Sequence, residues 1–213
     1  MIYGNILGKN QIRILEKLKN LPAGTYLAGG TALALQLGHR TSFDFDFYTG
    51  SHFEPTILLE KIKNAFQKVS VERVVKDTLL LNVDGVGFSL FFYPYKLIGR
   101  LIPYKNIKVA SVEDICAMKM VAISMRGERR DFVDVYYLLK KYSLAQLMKF
   151  TLKKYPAYQP MIVLKGLLYF EDAEDEDLSR GIKIFDPDFS WKEAKRVITR
   201  EVEEYQQVLL NPI

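Results

Sequence analysis

The chain has 213 residues, 49% of them hydrophobic and 26% charged, with a formal net charge of +5 at pH 7. That is enough apolar material for a sizeable core, in one domain or in one domain with a helical extension, and the modest positive charge allows a polyanionic partner without requiring one. Cys116 is the only cysteine, which excludes an intrachain disulfide and a zinc centre built from several thiolates; with no apolar run of about 18 residues and no charged-then-apolar start, the expectation is a cytoplasmic protein without a membrane span.

The elements follow in order. "NQIRILEKLKNL" predicts an opening helix with Ile12, Leu15 and Leu18 as its apolar stripe. Pro22 and Gly24 break it, and "TYLAG" predicts a short strand. Gly29 and Gly30 interrupt the chain before "TALALQL", a short helix ended by Gly38. "SFDFDFY" reads as the next strand, and "PTILLEKIKNAF" as a helix with Pro55 in its first turn. "TLLLNV" and "VGFSLFFY" flank Asp84-Gly85, a two-residue hairpin signal.

From residue 111 the chain reads as almost wholly helical. One helix spans "SVEDICAMKMVAISMR", with Ser111 and Asp114 as a capping box, and Gly127 ends it. The next, "DFVDVYYLLKKY", has Asp131 as N-cap and Asp134 in its first turn. Weaker helical segments cover 143–154 and 159–170. The run "EDAEDED" predicts a solvated linker, because like charges repel. A final helix starts at Ser190, where Glu193 completes a capping box, and ends near Leu209. The plan is α+β: a mixed α/β unit over 1–105, followed by a helical unit over 106–213, with no internal repeat.

The chemistry gathers at two places. In a strand, residues i and i+2 share a face, so Asp44 and Asp46 stand on one side and Phe43, Phe45 and Phe47 on the other. Their Cα atoms would be about 6.5 Å apart at roughly 3.3 Å per residue, a spacing from which two carboxylates can converge on a cation. Just upstream, Gly29 and Gly30 let backbone N–H groups approach an anion, Thr31 offers a hydroxyl at the mouth of the helix, and a helix N-terminus favours phosphate. Arg40 can reach a nucleotide phosphate or brace the carboxylates. An anion cradle beside a carboxylate pair is what a metal–triphosphate needs.

The second place is "ICAMKMVAISM", where Lys119 is the only charge, bordered on its helical face by Val112, Ile115 and Ala122. Either its stem snorkels past apolar neighbours, or its ammonium is a point charge aimed at phosphates or at an acidic cluster. Arg126, Arg129 and Arg130 add positive charge close by, suited to a triphosphate, to a nucleic-acid backbone or to a solvated turn.

"GGTALAL", "GHRTSFDFDF" and "MKMVAISMRGERRDFVDVYYL", in this order, resemble the AbiEii/AbiGii nucleotidyltransferase toxins of the polymerase-beta-like superfamily. The resemblance covers roughly residues 25–140. It implies a minimal nucleotidyltransferase fold, a mixed sheet flanked by helices, with a helical C-terminal part. It also implies the toxin half of a type IV toxin–antitoxin or phage-defence pair, which uses an NTP with Mg²⁺ or Mn²⁺ to modify an RNA such as a tRNA 3′ end, and a cognate antitoxin as partner. By the same resemblance Gly29, Gly30 and Thr31 match the phosphate segment and Asp44 and Asp46 the metal pair. Lys119 and Asp131 match the later lysine and aspartate, contributed to the cleft by the helical part, with Arg126 and Asp134 in support. One departure stands out. The strand on which the superfamily carries a third carboxylate offers Ser89 and no acid, and Asp84 lies at a hairpin tip, so either Asp131 or Asp134 stands in, Asp131 being favoured, or the attacking hydroxyl is activated by another means. A non-catalytic interaction protein on this scaffold, or a transferase that nucleotidylates a protein, are the competing readings.

Overall fold

A computed structural model describes residues 2–175 and 182–210. The backbone divides into two compact units, residues 1–111 and 112–213.

The first unit is a seven-stranded mixed sheet with three α-helices. In chain order these are α1 (Lys9–Lys17), β1 (Tyr26–Ala28), α2 (Gly29–Leu37), β2 (Phe45–Thr49), α3 (Pro55–Ala65), β3 (Val69–Val75), β4 (Thr78–Val83), β5 (Val86–Phe92), β6 (Ile102–Tyr104) and β7 (Ile107–Val109). The sheet order is β3-β4-β5-β2-β1-β7-β6. β2 runs parallel to β5 and β1 parallel to β7, and the remaining neighbours are antiparallel. Alternation along the strands gives one apolar face: Leu27, Phe45, Phe47, Leu79, Leu81, Phe88 and Leu90 are all buried. α2 packs on β1 and β2, and α3 on β3 and β4. The opposite pleat carries Asp46, with Ser89 and Leu80 in register beside it.

Turn chemistry fixes the registers. Asp84 and Gly85 both have positive φ, at 50° and 85°, as the tight β4–β5 hairpin requires. Gly38 closes α2 in the left-handed region, at φ 66°. In α1 the buried stripe is Gln11, Ile14, Leu15 and Leu18, so Ile14 replaces the expected Ile12, which is half-exposed. β3, β6 and β7 were not predicted. β3 is mostly exposed, and β6 and β7 have three residues each, too few for a periodic signal.

The second unit contains α4 (Val112–Arg126), α5 (Arg129–Leu139), α6 (Leu144–Lys154), α7 (Pro160–Leu168) and α8 (Trp191–Leu210). α4 is its centre and packs against α5, α6 and α7, which explains why its sequence is apolar around nearly the whole circumference. Burial pushes the Cys116 thiol well above its ordinary pKa, so it is held as an inert thiol. Asp114, expected in a capping box, has a fully buried carboxylate that accepts from Lys154 Nζ at 2.7 Å. α5 begins two residues before the expected N-cap, because Glu128 takes that position and Asp131 falls in the first turn. Ser190 caps α8 as expected, its Oγ accepting from the Glu193 amide at 3.1 Å. Of the expected acidic linker, Glu171–Ala173 form a 3₁₀ turn with Ala173 buried, while residues 176 and 177 lie outside the described residues. Among the described residues no helix is long and apolar enough to cross a membrane.

Candidate active site

β1 runs directly into α2, whose N-cap, Ala28, has no side chain to satisfy the first amide groups. The helix mouth is therefore made of Gly29, Gly30 and Thr31 backbone, with N–H donors suited to an anion. Ala28 is paired with Asp46 across the β1–β2 ladder, which puts the carboxylate beside that mouth. A Cβ on Gly29 would lie 2.6 Å from Asp46 Oδ2, and Gly29 has φ +66°, so glycine is required for both reasons. A Cβ on Gly30 would lie 2.6 Å from Arg40 Nη2.

Arg40 is 1% exposed, packed against the Gly30 turn, with Nη1 donating to the Thr41 carbonyl at 2.9 Å. It braces the segment from within. The Thr31 hydroxyl is also buried and turned inward, bonded to Ser42 Oγ at 2.8 Å and donating to the Asp44 carbonyl at 2.5 Å. Gln11 Nε2 donates to the Ser42 and Phe43 carbonyls at 2.9 and 3.0 Å. These side chains take backbone groups that a sheet ladder would use, so β2 starts at Phe45. Only Phe45 and Phe47 join the core, and Phe43, expected beside them, is 56% exposed.

The two acids occupy fitted seats. A Cβ on Gly87 would fall 2.5 Å from Asp44 Oδ1, so the Asp44 carboxylate fills the space left by a missing side chain on β5. Asp46 is in register with Ser89, whose Oγ donates to Asp46 Oδ1 at 2.9 Å. The position of the expected third carboxylate thus holds a hydroxyl that orients the second. Asp84 does not substitute for it: it is held at the hairpin tip by Arg13 at 2.9 Å and the Lys68 amide at 3.1 Å. Ser89 was named in the sequence only as a missing acid and Gly87 not at all. A glycine inside an alternating strand is the one signal that points to a close approach.

The donor set suits a hard divalent cation. Mg²⁺ is commonly held by one or two carboxylates with substrate phosphates and retained water. No group of three or more His, Cys, Asp or Glu side chains able to hold a metal occurs among the described residues. Asp44 and Asp46 are the side chains that would hold such an ion.

In the second unit Lys119 is not a lone charge. Its Nζ lies 2.6 Å from Asp131 Oδ1 and 2.7 Å from Asp134 Oδ2, with its side chain 6% exposed and both carboxylates fully buried. Arg126 Nε adds a bond to Asp131 Oδ2 at 3.0 Å. Snorkelling is thereby replaced by a closed ion network. Burial raises the Asp131 pKa, but the charges of Lys119 and Arg126 and their hydrogen bonds outweigh it and hold the carboxyl below its ordinary value. A lowered folded pKa stabilises above the unfolded value of about 4 and is lost as pH falls through the folded one. Asp131→Asn is therefore expected to lower stability near neutral pH and to flatten the acid limb, read by urea denaturation across the acid range. An acid limb as steep as in the unsubstituted protein would count against this account.

Three comparisons bear on this geometry. The family model described as "Nucleotidyl transferase AbiEii toxin, Type IV TA system" matches residues 13–97 and 92–204. An uncharacterized protein of Aquifex aeolicus is 39% identical, covering 93% of this chain and 97% of its own. In structure, the nucleotidyltransferase toxin MenT4 of Mycobacterium tuberculosis aligns with a TM-score of 0.61 at 14% identity, over 91% of this chain and 80% of that one. JHP933 of Helicobacter pylori aligns with a TM-score of 0.52 at 17% identity, over 98% of each. At these identities the two structures speak for the fold, a mixed sheet with helices.

Proposed function

This chain belongs to the AbiEii family of nucleotidyltransferase toxins of type IV toxin–antitoxin systems, and from that membership we propose that it transfers a nucleotide from a metal-bound NTP to an RNA acceptor, a tRNA 3′ end, in the cytoplasm. The observation that carries the proposal is the seating of Asp44 and Asp46 against Gly87 and Gly29, at the uncapped start of α2. Gly29 and Gly30 offer backbone donors to the β- and γ-phosphates, and Arg40 and Thr31 keep that turn in place. Asp44 and Asp46 would hold Mg²⁺ or Mn²⁺, which supplies charge neutralisation and orientation of the reacting oxygens. The acceptor hydroxyl oxygen bonds the α-phosphorus, the bond to the α–β bridging oxygen breaks, pyrophosphate leaves with that electron pair, and the hydroxyl proton passes to water.

Positioning and fixed charge account for the catalysis in this reading, because the residues form no covalent bond themselves. Lys119 and Asp131 are assigned to the reaction by their match to the family's lysine and later aspartate, with Arg126 and Asp134 in support. Both Asp131 oxygens are engaged, Oδ1 by Lys119 and Oδ2 by Arg126, which argues against its acting as the base. A cognate antitoxin and a role in phage defence are part of the same proposal.

The test is incubation with each labelled NTP, Mg²⁺ and a tRNA pool. Labelled RNA is expected, lost on chelation and restored by added Mg²⁺. Absence of label with all four nucleotides, while an active family member labels the same pool, would sink the reading.

A further inference from the structure

A groove of about 320 Å³ opens beside the acid pair, lined by Asp44, Asp46, Glu72, Leu80, Asn82 and Ser89 among others. Ligand sites run about 300–1,000 Å³, so this one has room for a single nucleoside-sized group. Its place follows from the sheet order. β2 carries the acids, β1 and the α2 mouth lie on one side of it, and β5, β4 and β3 on the other. The groove is on the β5 side.

Two physical constraints select what enters. In phosphoryl transfer the attacking and leaving oxygens are roughly in line across the phosphorus. If pyrophosphate departs towards Gly29 and Gly30, the attacking hydroxyl comes from the β5 side, where the groove lies. The second constraint is charge. With Asp44 and Asp46 committed to the metal, Glu72 is the carboxylate left over in the lining, which holds no lysine or arginine, so nothing there would neutralise a phosphodiester. Ionised carboxylates only accept hydrogen bonds, so they favour a neutral donor group. A terminal ribose, with adjacent 2′ and 3′ hydroxyls and no 3′ phosphate, is such a group.

Glu72 reaches this face by a local irregularity. The β3–β4 ladder pairs Val71 with Leu81 and Arg73 with Leu80, leaving Glu72 as the extra residue of a β-bulge. Bulges re-aim side chains and bend strands next to sites. Asn82 Oδ1 accepts from the Gly85 amide at 3.0 Å, so its amide donors complement the acceptor groups of Glu72. Leu80, in register with Ser89, and the backbone of Gly85 and Gly87 give an uncharged floor for the sugar ring.

We propose that this groove seats the 3′-terminal ribonucleoside of the RNA acceptor, with Glu72 accepting from its vicinal hydroxyls and Asn82 donating to the sugar or base. The proposal rests on the transferase reading. Its test compares the unsubstituted protein, Glu72→Gln and Asn82→Asp on short RNAs ending in a ribose or in a 2′-deoxyribose, both of which keep the attacking 3′-hydroxyl. Glu72→Gln is expected to raise the KM for RNA about tenfold, the scale of a lost hydrogen bond to a charged group, and Asn82→Asp about fivefold, the scale of a neutral one, both leaving the KM for NTP unchanged. The 2′-deoxy end should cost the unsubstituted protein a similar factor and Glu72→Gln almost nothing more, an interaction a general loss of folding would not produce.

An unchanged KM for RNA in Glu72→Gln, or an equal 2′-deoxy penalty in both proteins, overturns the proposal. Labelling of a protein in place of RNA does so too, since an acidic groove also suits a cationic peptide. Should no acceptor be labelled at all, the transferase reading is what fails, and equilibrium binding of the two RNAs decides the groove separately. Tighter binding of the ribose end that depends on Glu72 supports the seat, and equal binding of the two ends overturns it.

Discussion

Gly87→Ala is expected to slow nucleotide transfer about a hundredfold while leaving the protein folded. Gly87 sits in β5 with a backbone conformation open to any residue, so alanine introduces no strain of its own. Its Cβ, however, would lie 2.5 Å from Asp44 Oδ1 and 3.0 Å from Asp44 Cγ. Carbon atoms in contact sit about 3.5–4.0 Å apart, so the carboxylate must move by about 1 Å, and misplacement on that scale costs about 10²-fold in rate. Asp44→Asn, which keeps the shape and removes the charge, should give a loss at least as large. The assay is labelling of RNA, with the melting temperature as the folding control. Full activity in Gly87→Ala would mean that the seat of Asp44 is not what positions it, and full activity in Asp44→Asn would remove Asp44 from the reaction.

The largest effect on stability is expected at Lys154. Lys154 and Asp114 pair at 2.7 Å with both side chains fully buried, one at the end of α6 and the other in the first turn of α4. Removing one member takes the opposite charge away from a fully buried ion, a change that costs about 3–5 kcal/mol, a large share of the roughly 5–15 kcal/mol that holds a typical domain together. Lys154→Met keeps the volume of the stem and should show most of that loss by urea denaturation. The double variant Asp114→Leu with Lys154→Met should be more stable than the sum of the two single losses implies, because it removes both charges together. A loss below about 1 kcal/mol for Lys154→Met would show that the buried carboxylate is satisfied without the lysine.

The fold was legible wherever a segment carries its own period. β2, β4 and β5 alternate, α3 and α8 show amphipathic spacing, and Asp84-Gly85 specifies a turn whose dihedral angles few other pairs adopt. β3 was not, because its polar, mostly exposed residues resemble a loop until β4 supplies the hydrogen bonds. The acid pair was legible for the same local reason, since residues two apart in a strand share a face. Its seats were not: Gly87 and Ser89 lie more than 40 positions along the chain from the acids they fit.

By itself the sequence determined the types of the elements that carry their own period, the glycine turn before α2, the acid pair and the fact that Lys119 in an apolar helix needs an explanation. Only the tertiary structure decided that Lys119 is closed between Asp131 and Asp134, that Arg40 and Thr31 are buried braces, that Ser89 orients Asp46, and that Asp114 pairs with Lys154. Periodicity is set by the geometry of a few consecutive residues and so survives in a string of letters. A buried charge, by contrast, can be satisfied by any complementary group that folding brings within about 3 Å, and that choice is made by packing.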